Sequence, residues 1–387
     1  MNRSEVEIVS FDNSDKKRLR TFIDFHWKHY ENDPQFVPLL DYEYLGFSLI
    51  GMTGFFEPQN LFFKHADMRF FLAYQNGELV GRCNAFVNHN HNRHWKDKVG
   101  FFGQFETIEE QTVTDALIAA ASEWLKRQGM QHIRGPQNLP VNEATPGVLT
   151  HGFDTRPVIY YHYNKPYYAD MIEKAGFEKI KRVKSWEFKV GTEWGEKAYR
   201  VADKVIKRYE VTIETWDQRS TEERTREMFE IYNDAWTNNW GFVPFTREEF
   251  ETNIKDMQLI LKPGLFLFLY VKGEPAAFFG AVPNIFEVMK PLSWCRRCEV
   301  LRAAKMLFLK NRVKGYRFGY MGVKRKFQRL GLDSIMLVKQ KKYTEDEKYE
   351  YADIGWVLED NVLVTRVLDW AGADLSKIYT LYQMPVV

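Results

Sequence analysis

Three stretches of this sequence combine residue types and spacings that chemistry uses. The first covers residues 315–342. It opens as a strand in which Tyr316, Phe318 and Tyr320 alternate with Arg317, Gly319 and Met321, and it closes on Gly322-Val323. A basic loop follows, residues 324–330, with Lys324, Arg325, Lys326 and Arg329; then come Gly331 and a helical run over 332–342. A strand, a glycine-bearing loop and a helix aim several unpaired backbone N–H groups at one point, where the helix macrodipole also favours negative charge. The chemistry this suits is phosphate binding. The competing reading is a solvated basic turn.

The second stretch is the polar loop Arg134-Gly135-Pro136-Gln137-Asn138-Leu139-Pro140-Val141-Asn142-Glu143, which leaves a predicted strand. Polar loops of this length line a cleft or satisfy themselves. With Tyr163, Asn164, Tyr167 and Tyr168, the residues Asn138, Asn142 and Glu143 are candidates to contact a polar acceptor. The third stretch raises metal binding. Cys295-Arg296-Arg297-Cys298 has a zinc-ligand spacing without a second pair. With Cys83 these are the only cysteines, too few for a disulfide framework, and they read as free thiols in a reducing cytoplasm. His89 and His91 would share a strand face, but Asn and Arg fill the spaces, and the segment reads as a solvated connection. No metal is expected.

The elements that position these residues repeat. The chain has 387 residues, 45% hydrophobic and 27% charged, which suits a soluble protein of two domains. A net charge of +2 supplies no global field for nucleic acid or membrane. The opening residues are polar, and the longest apolar run, 265–271, is too short to span a bilayer. A strand over 5–12, a helix over 15–30 and Phe36-Val37-Pro38 are matched by a strand over 210–216, a helix over 221–236 and Phe242-Val243-Pro244. Hairpins are predicted over 70–87, with an Asn76-Gly77 turn, and over 265–282. Strands over 99–105 and 316–323 follow, each before a helix and a further strand, and each half closes with a helix ending near Gly176 or Gly372 and a terminal hairpin. The domains are predicted as 1–190 and 191–387. Residues 284–314 have no counterpart in the first half; Val300, Leu301, Ala304, Met306, Leu307 and Phe308 give an apolar face beside Arg302, Lys305, Lys310, Arg312 and Lys314, either a lid over an anion or a packed helix with a wet side.

The run from Phe327 through Gln328 and Gly331 resembles the acyl-CoA loop of the GNAT acetyltransferases, Gln/Arg-x-x-Gly-x-Gly/Ala after an aromatic, with Asp333 where Gly or Ala is expected. The order of elements resembles the GNAT fold, present twice. Gly135-Pro136-Gln137-Asn138, Gly152-Phe153-Asp154, the run from Tyr163 to Tyr168 and Trp356-Val357-Leu358-Glu359-Asp360-Asn361 are similar to a group of tandem GNAT proteins without an assigned substrate. The resemblance implies an α/β fold with a mixed sheet in each of two domains. It also implies an acyltransferase that moves an acetyl or other acyl group from acyl-CoA to a small-molecule or peptide amine held between the domains.

It implies that the donor sits in the C-terminal half, at Gly322, Val323, Gln328, Arg329, Leu330, Gly331, Leu332 and Asn361. The first half has Glu106, Glu109 and Glu110 at the equivalent loop and no glycine, so a pyrophosphate there would meet like charge. Acyl transfer needs a deprotonated amine, a polarised carbonyl and a protonated leaving thiolate. Glu359 and Asp353 are the candidate bases; Asp360 reads as a helix cap. The tyrosine acid of many GNAT enzymes is replaced by Ile172 and Leu368, which leaves Tyr379 and Tyr382 as stand-ins. Two alternatives stay open: Fem-type transfer from aminoacyl-tRNA, which would use the basic residues of 296–314 and 324–329, and a non-catalytic protein that binds acyl-CoA or a metabolite.

Overall fold

The computed structural model describes residues 5–48, 51–291, 295, 298 and on to 386. In chain order the first half runs β1 (Val6–Phe11), α1 (Lys16–His29), α2 (Asp41–Leu45), β2 (Ala66–Gln75), β3 (Glu78–Asn88), α3 (His89–Trp95), β4 (Val99–Thr107), α4 (Gln111–Arg127), β5 (His132–Gly135), β6 (Val148–His151), α5 (Tyr168–Lys174) and β7 (Glu178–Lys189). The second runs α6 (Glu196–Tyr209), β8 (Val211–Thr215), α7 (Thr221–Trp236), α8 (Arg247–Met257), β9 (Phe266–Val271), β10 (Glu274–Pro283), α9 (Glu299–Leu309), β11 (Gly315–Val323), α10 (Leu332–Asp346), β12 (Tyr351–Leu358), α11 (Val362–Ala371) and β13 (Asp374–Pro385). By contacts the chain forms two compact units. One holds residues 1–184, 289–303 and 377–387, the other 185–288 and 304–376.

In the first unit the strand order is β1-β2-β3-β4-β5-β13, with β6 on β13. The period of two sorts the side chains: Phe71, Ala73 and Cys83 pack toward α4, with Leu117, Ala121 and Leu125, while Phe70, Leu72 and Phe86 pack toward α1, with Phe22 and Ile23. Both faces are apolar because both are covered by helices. The β2–β3 hairpin turns through Asn76 and Gly77, both at positive φ, as its turn type demands. In the second unit β12-β11-β10-β9-β8 is the order. Its β9–β10 hairpin turns through Lys272 and Gly273 in the same left-handed way, and α7 starts at a Ser220–Glu223 capping box.

The duplication extends to a detail that positions the sites. β4 pairs in parallel with β5 only over Val99–Phe101, and β11 with β12 only over Gly315–Phe318. Beyond those residues the strands part. Each also carries a bulge just past the parting, Gln104-Phe105 opposite Cys83 and Gly319 between the pairs at Gly280 and Ala281. The free C-terminal end of each strand therefore borders an opening in its own unit.

Four expectations are corrected. Neither half ends in a hairpin: β7 and β13 are single long strands, since β13 contains no turn residue to fold it back, and its end pairs antiparallel with β5, Tyr382 opposite Gly135. The histidine-rich segment is not a strand end but the helix α3, started by the Asn88 side chain, which accepts from the amides of Asn90 and His91. Cys295 and Cys298 are joined as a disulfide, so they are not free thiols; Arg296 and Arg297 lie outside the described residues. Finally, α9 faces the other way from the expected wet-sided helix: Arg302 is buried and Val300, Leu301, Leu307 and Phe308 are exposed. A further helix, α6, occupies what reads in sequence as a polar linker and packs on α10.

Candidate functional site

The end of β11 leads into a single turn over Arg325–Phe327 and then into α10. Two residues of this loop are left-handed, Arg329 at φ 64° and Gly331 at φ 84°. Gly331 is the N-cap of α10 and has no side chain to offer; Ser334 turns its amide (3.1 Å) and hydroxyl (2.6 Å) back on the Gly331 carbonyl instead. Among the described residues no protein group accepts from the amides of residues 329–333. They lie in the turn that leads into the positive end of a 15-residue helix, an arrangement suited to an anion.

The side chains around this turn are less uniformly available than their charges suggest. Lys324 lies 3.5 Å from Glu230, Arg325 uses its amide (2.5 Å) and guanidinium (3.3 Å) on Asp234, and Lys326 pairs with Glu274. Arg329 is exposed and meets no carboxylate among the described residues. Gln328 donates to the Val323 carbonyl (3.3 Å), closing the loop on its own strand. Gly322 is buried, and a Cβ there would press on Ile231 and Phe278 at 3.0 Å, so the residue serves the packing of α7 on the sheet. Leu332 is buried and Leu330 half-buried. Asn361 caps α11, accepting from the Val364 amide (3.3 Å); Glu359, just after β12, is exposed. Asp353 on β12 is buried and stands in register beside the buried Arg317 of β11.

The opening in the first unit is built differently. Its β4 end is occupied by side chains of the unit itself. Asn138 Oδ1 accepts from the Gln104 amide (2.6 Å), the Tyr168 hydroxyl from the Thr107 amide (3.0 Å), and the Tyr167 hydroxyl donates to the Thr107 carbonyl (2.8 Å). Beside them Glu106 is buried and receives two short hydrogen bonds, from the hydroxyls of Tyr30 and Tyr168, both 2.6 Å. Arg82 lies 4.0 Å from its other oxygen, and His29 lies 2.8 Å from the Tyr168 hydroxyl. Since that hydroxyl donates to Glu106, His29 must donate through Nε2–H. A proton path therefore runs from His29 through Tyr168 to a carboxylate.

Burial sets the charges of this cluster. It pushes the Glu106 carboxyl up, with Arg82 and the two tyrosines opposing, and it lowers His29 to about 4, helped by Lys165 and Arg82. The phenols of Tyr30 and Tyr168 are raised, by burial first and by Glu106 next. At the outer side, Tyr163 packs edge-on against Tyr30 at 5.9 Å, its phenol pushed up to about 12 by burial and Asp33. Lys165 sits 3.1 Å from Asp33 and 4.7 Å from the Tyr30 ring centroid. This is a half-open rim of aromatic rings and carboxylate that already accommodates one ammonium group.

Of the candidate acceptor residues, the structure brings Tyr163, Tyr167 and Tyr168 to this cluster. Asn138 and Asn164 instead clamp backbone, Asn164 by accepting from the Leu149 amide (2.6 Å) and donating to the Lys165 carbonyl (2.9 Å). Asn142 and Glu143 lie half-buried on the loop after Asn138. Tyr379 and Tyr382 belong to the first unit and are buried, their hydroxyls donating to the His162 carbonyl (2.9 Å) and to Glu173 (3.0 Å). Sequence reasoning missed His29, Tyr30 and Arg82. The signals were an arginine in the middle of a mostly apolar strand and a His-Tyr pair closing an amphipathic helix. Among the described residues no group of three or more His, Cys, Asp and Glu side chains could hold a metal.

No family model matches the chain. Over 383 residues, 96% of this chain and 94% of the relative, it is 28% identical to Protein YghO of Escherichia coli strain K12. Over 339 residues, 84% of this chain and 85% of the relative, it is 30% identical to the bacterial ceramide synthase of Caulobacter vibrioides. Among solved structures, the tandem GNAT protein from the clavulanic acid biosynthesis pathway matches 99% of both chains with a TM-score of 0.56 at 11% identity, a likeness of fold. Two parted strands, two bulges and these matches lead to one conclusion: the chain has the tandem GNAT fold and belongs to the family of the bacterial ceramide synthase.

Proposed function

We propose that this protein is an acyl-CoA-dependent N-acyltransferase whose acceptor is a long-chain amino alcohol. The observation that carries the donor assignment is the left-handed Arg329–Gly331 turn with its cluster of unclaimed amides at the head of α10. It offers a pyrophosphate several N–H donors and one free guanidinium. Asp333, half-buried in the first turn of α10, opposes this with one negative charge. The acceptor class is suggested by the relative named a ceramide synthase, since a ceramide is the amide of a long-chain amino alcohol and a fatty acid.

In the reaction the amine nitrogen attacks the thioester carbon, the C–N bond forms and the C–S bond breaks. The nitrogen loses a proton to a base and the departing thiolate takes one up. The C-terminal loop holds the donor in this reading. Glu359, the carboxylate expected from the sequence, is the proton acceptor this reading favours, because it is exposed just after β12 in the same unit as the donor loop. Aminoacyl-tRNA as donor finds no support: Lys324, Arg325 and Lys326 are engaged with carboxylates, leaving little free charge for a polynucleotide.

The test is incubation of the purified protein with a long-chain acyl-CoA and sphinganine, with mass-spectrometric detection of the amide. Wild type is expected to form it, and Arg329→Glu to lose it with loss of acyl-CoA binding. Acyl-CoA binding without amide formation from any long-chain amine would favour the non-catalytic binder instead.

A further inference from the structure

Helix α9 is amphipathic in the reverse sense for a helix packed on a core. Its charged side is the inner one. Arg302 is fully buried and donates to Glu299 (2.8 Å) and to the carbonyls of Pro38 (2.6 Å) and Met289 (3.2 Å), with its guanidinium 5.2 Å from the Trp27 ring centroid. Glu299 in turn accepts from the Asp41 amide at 2.6 Å. On the outer side Val300, Leu301, Leu307 and Phe308 are 61%, 45%, 46% and 84% exposed. At about 100° per residue these four and Ala304 fill one sector of roughly 120°. The helix cannot roll to hide them, because rolling would strip a buried guanidinium of its acceptors.

We propose that this face docks on the surface of an anionic phospholipid bilayer. The charges around it point to that occupant. Residues 300–313 contain no acidic side chain, and Lys305, Lys310 and Arg312 flank the apolar sector. Lys310 donates to the Leu259 carbonyl (2.6 Å), and the Leu259 side chain is itself 53% exposed. Apolar side chains rimmed by lysine and arginine are the composition of a helix that lies in the headgroup region. A second copy of the chain seated here by twofold symmetry would oppose like charges, which disfavours self-association. Another helix with several exposed apolar residues, α11, shows no such face: Val362, Leu363 and Trp370 are interrupted by the exposed Arg366 and Asp369. The inference deepens the N-acyltransferase reading, on which its purpose rests, because a long-chain amine and its amide product both partition into lipid.

The experiment is co-sedimentation of the full chain with phosphatidylcholine vesicles, with and without phosphatidylglycerol, alongside sedimentation velocity without lipid. Wild type is expected to sediment with the anionic vesicles and remain monomeric without them. Leu307→Ser combined with Phe308→Ser is expected to weaken the binding about tenfold or more. Lys305→Glu with Lys310→Glu, which keeps the apolar face, is expected to abolish the preference for phosphatidylglycerol. All four side chains are partly or fully exposed, and circular dichroism checks their folding. Failure of wild type to bind, binding unchanged in the serine variant, or a wild-type dimer that this variant dissociates would each overturn the proposal. The assay contains no acyl donor and no amine, so its failure is distinguishable from failure of the transferase reading.

Discussion

The ends of β4 and β11 are the same construction put to opposite uses. Both strands part from a parallel neighbour after a few residues and both bulge just beyond. At β4 the space is taken by the chain's own side chains: Asn138 on the Gln104 amide, Tyr168 on the Thr107 amide, and Glu106 held between two tyrosines. The connection to α4 carries Glu109 and Glu110, and Glu110 provides no side-chain cap. At β11 the connection is longer, turns twice through left-handed backbone, and leaves amides for an anion. A duplicated fold thus keeps its splay in both copies while sequence decides what fills it. One end is dressed for negative charge, the other for a cation and its proton.

The comparison breaks most readily at Gly331. Gly331→Asp adds a side chain at φ 84° and a charge where the phosphates would lie, and a Cβ there already meets Val205 at 3.2 Å. It is expected to weaken acyl-CoA binding at least about a hundredfold by calorimetry, with Arg329→Gln losing about tenfold through one charge-assisted hydrogen bond. Unchanged affinity in both would remove the anion site from this loop. Glu359→Gln is expected to lower the rate of amide formation about a hundredfold, while at the other end Glu106→Gln and Tyr168→Phe are expected to leave acyl-CoA affinity within a factor of two. Loss of donor binding in those variants would erase the division of labour.

A pH titration sharpens the contrast. His29 protonates near 6.5 when unfolded but at about 4 when folded, so between these values the unfolded chain binds more protons, and stability falls as the pH falls. The contribution is roughly 3 kcal/mol over that window. Glu106 acts in the opposite sense, its raised pKa costing stability as the pH rises above the usual carboxylate range. Thermal melts of His29→Gln from pH 7 to 4 should show a shallower loss than wild type; an equal slope would mean that His29 is not buried neutral. The smallest effect is expected for Asn138→Ala, which leaves the buried Gln104 amide without its acceptor and should cost about 1–3 kcal/mol of stability without altering acyl-CoA affinity.

Much of this was legible in the residues. Local rules suffice for the hairpins: Asn76-Gly77 and Lys272-Gly273 demand left-handed turns, and alternating apolar runs flank them. The helix Thr221–Trp236 has its own capping box and stands where periodicity puts it. The phosphate-type turn was visible because glycine at a helix start is a local signal. The Glu106 cluster was not, because its members come from α1, β3, β4 and α5, separated by up to 139 residues between His29 and Tyr168, and no spacing rule spans that distance. The end of β13 was misplaced for the same reason, since its partner β5 lies over two hundred residues away in sequence. In α9 the apolar and charged residues were identified correctly, but which side faces inward depends on acceptors at Pro38 and Met289 that periodicity cannot supply.

The central claim, that the C-terminal loop alone takes the acyl donor, is tested most directly by calorimetric titration of a long-chain acyl-CoA into wild type, Gly331→Asp and Glu106→Gln. The account predicts one site per chain, lost in Gly331→Asp and retained in Glu106→Gln. Two sites per chain, or a site that survives Gly331→Asp and disappears with Glu106→Gln, would contradict it.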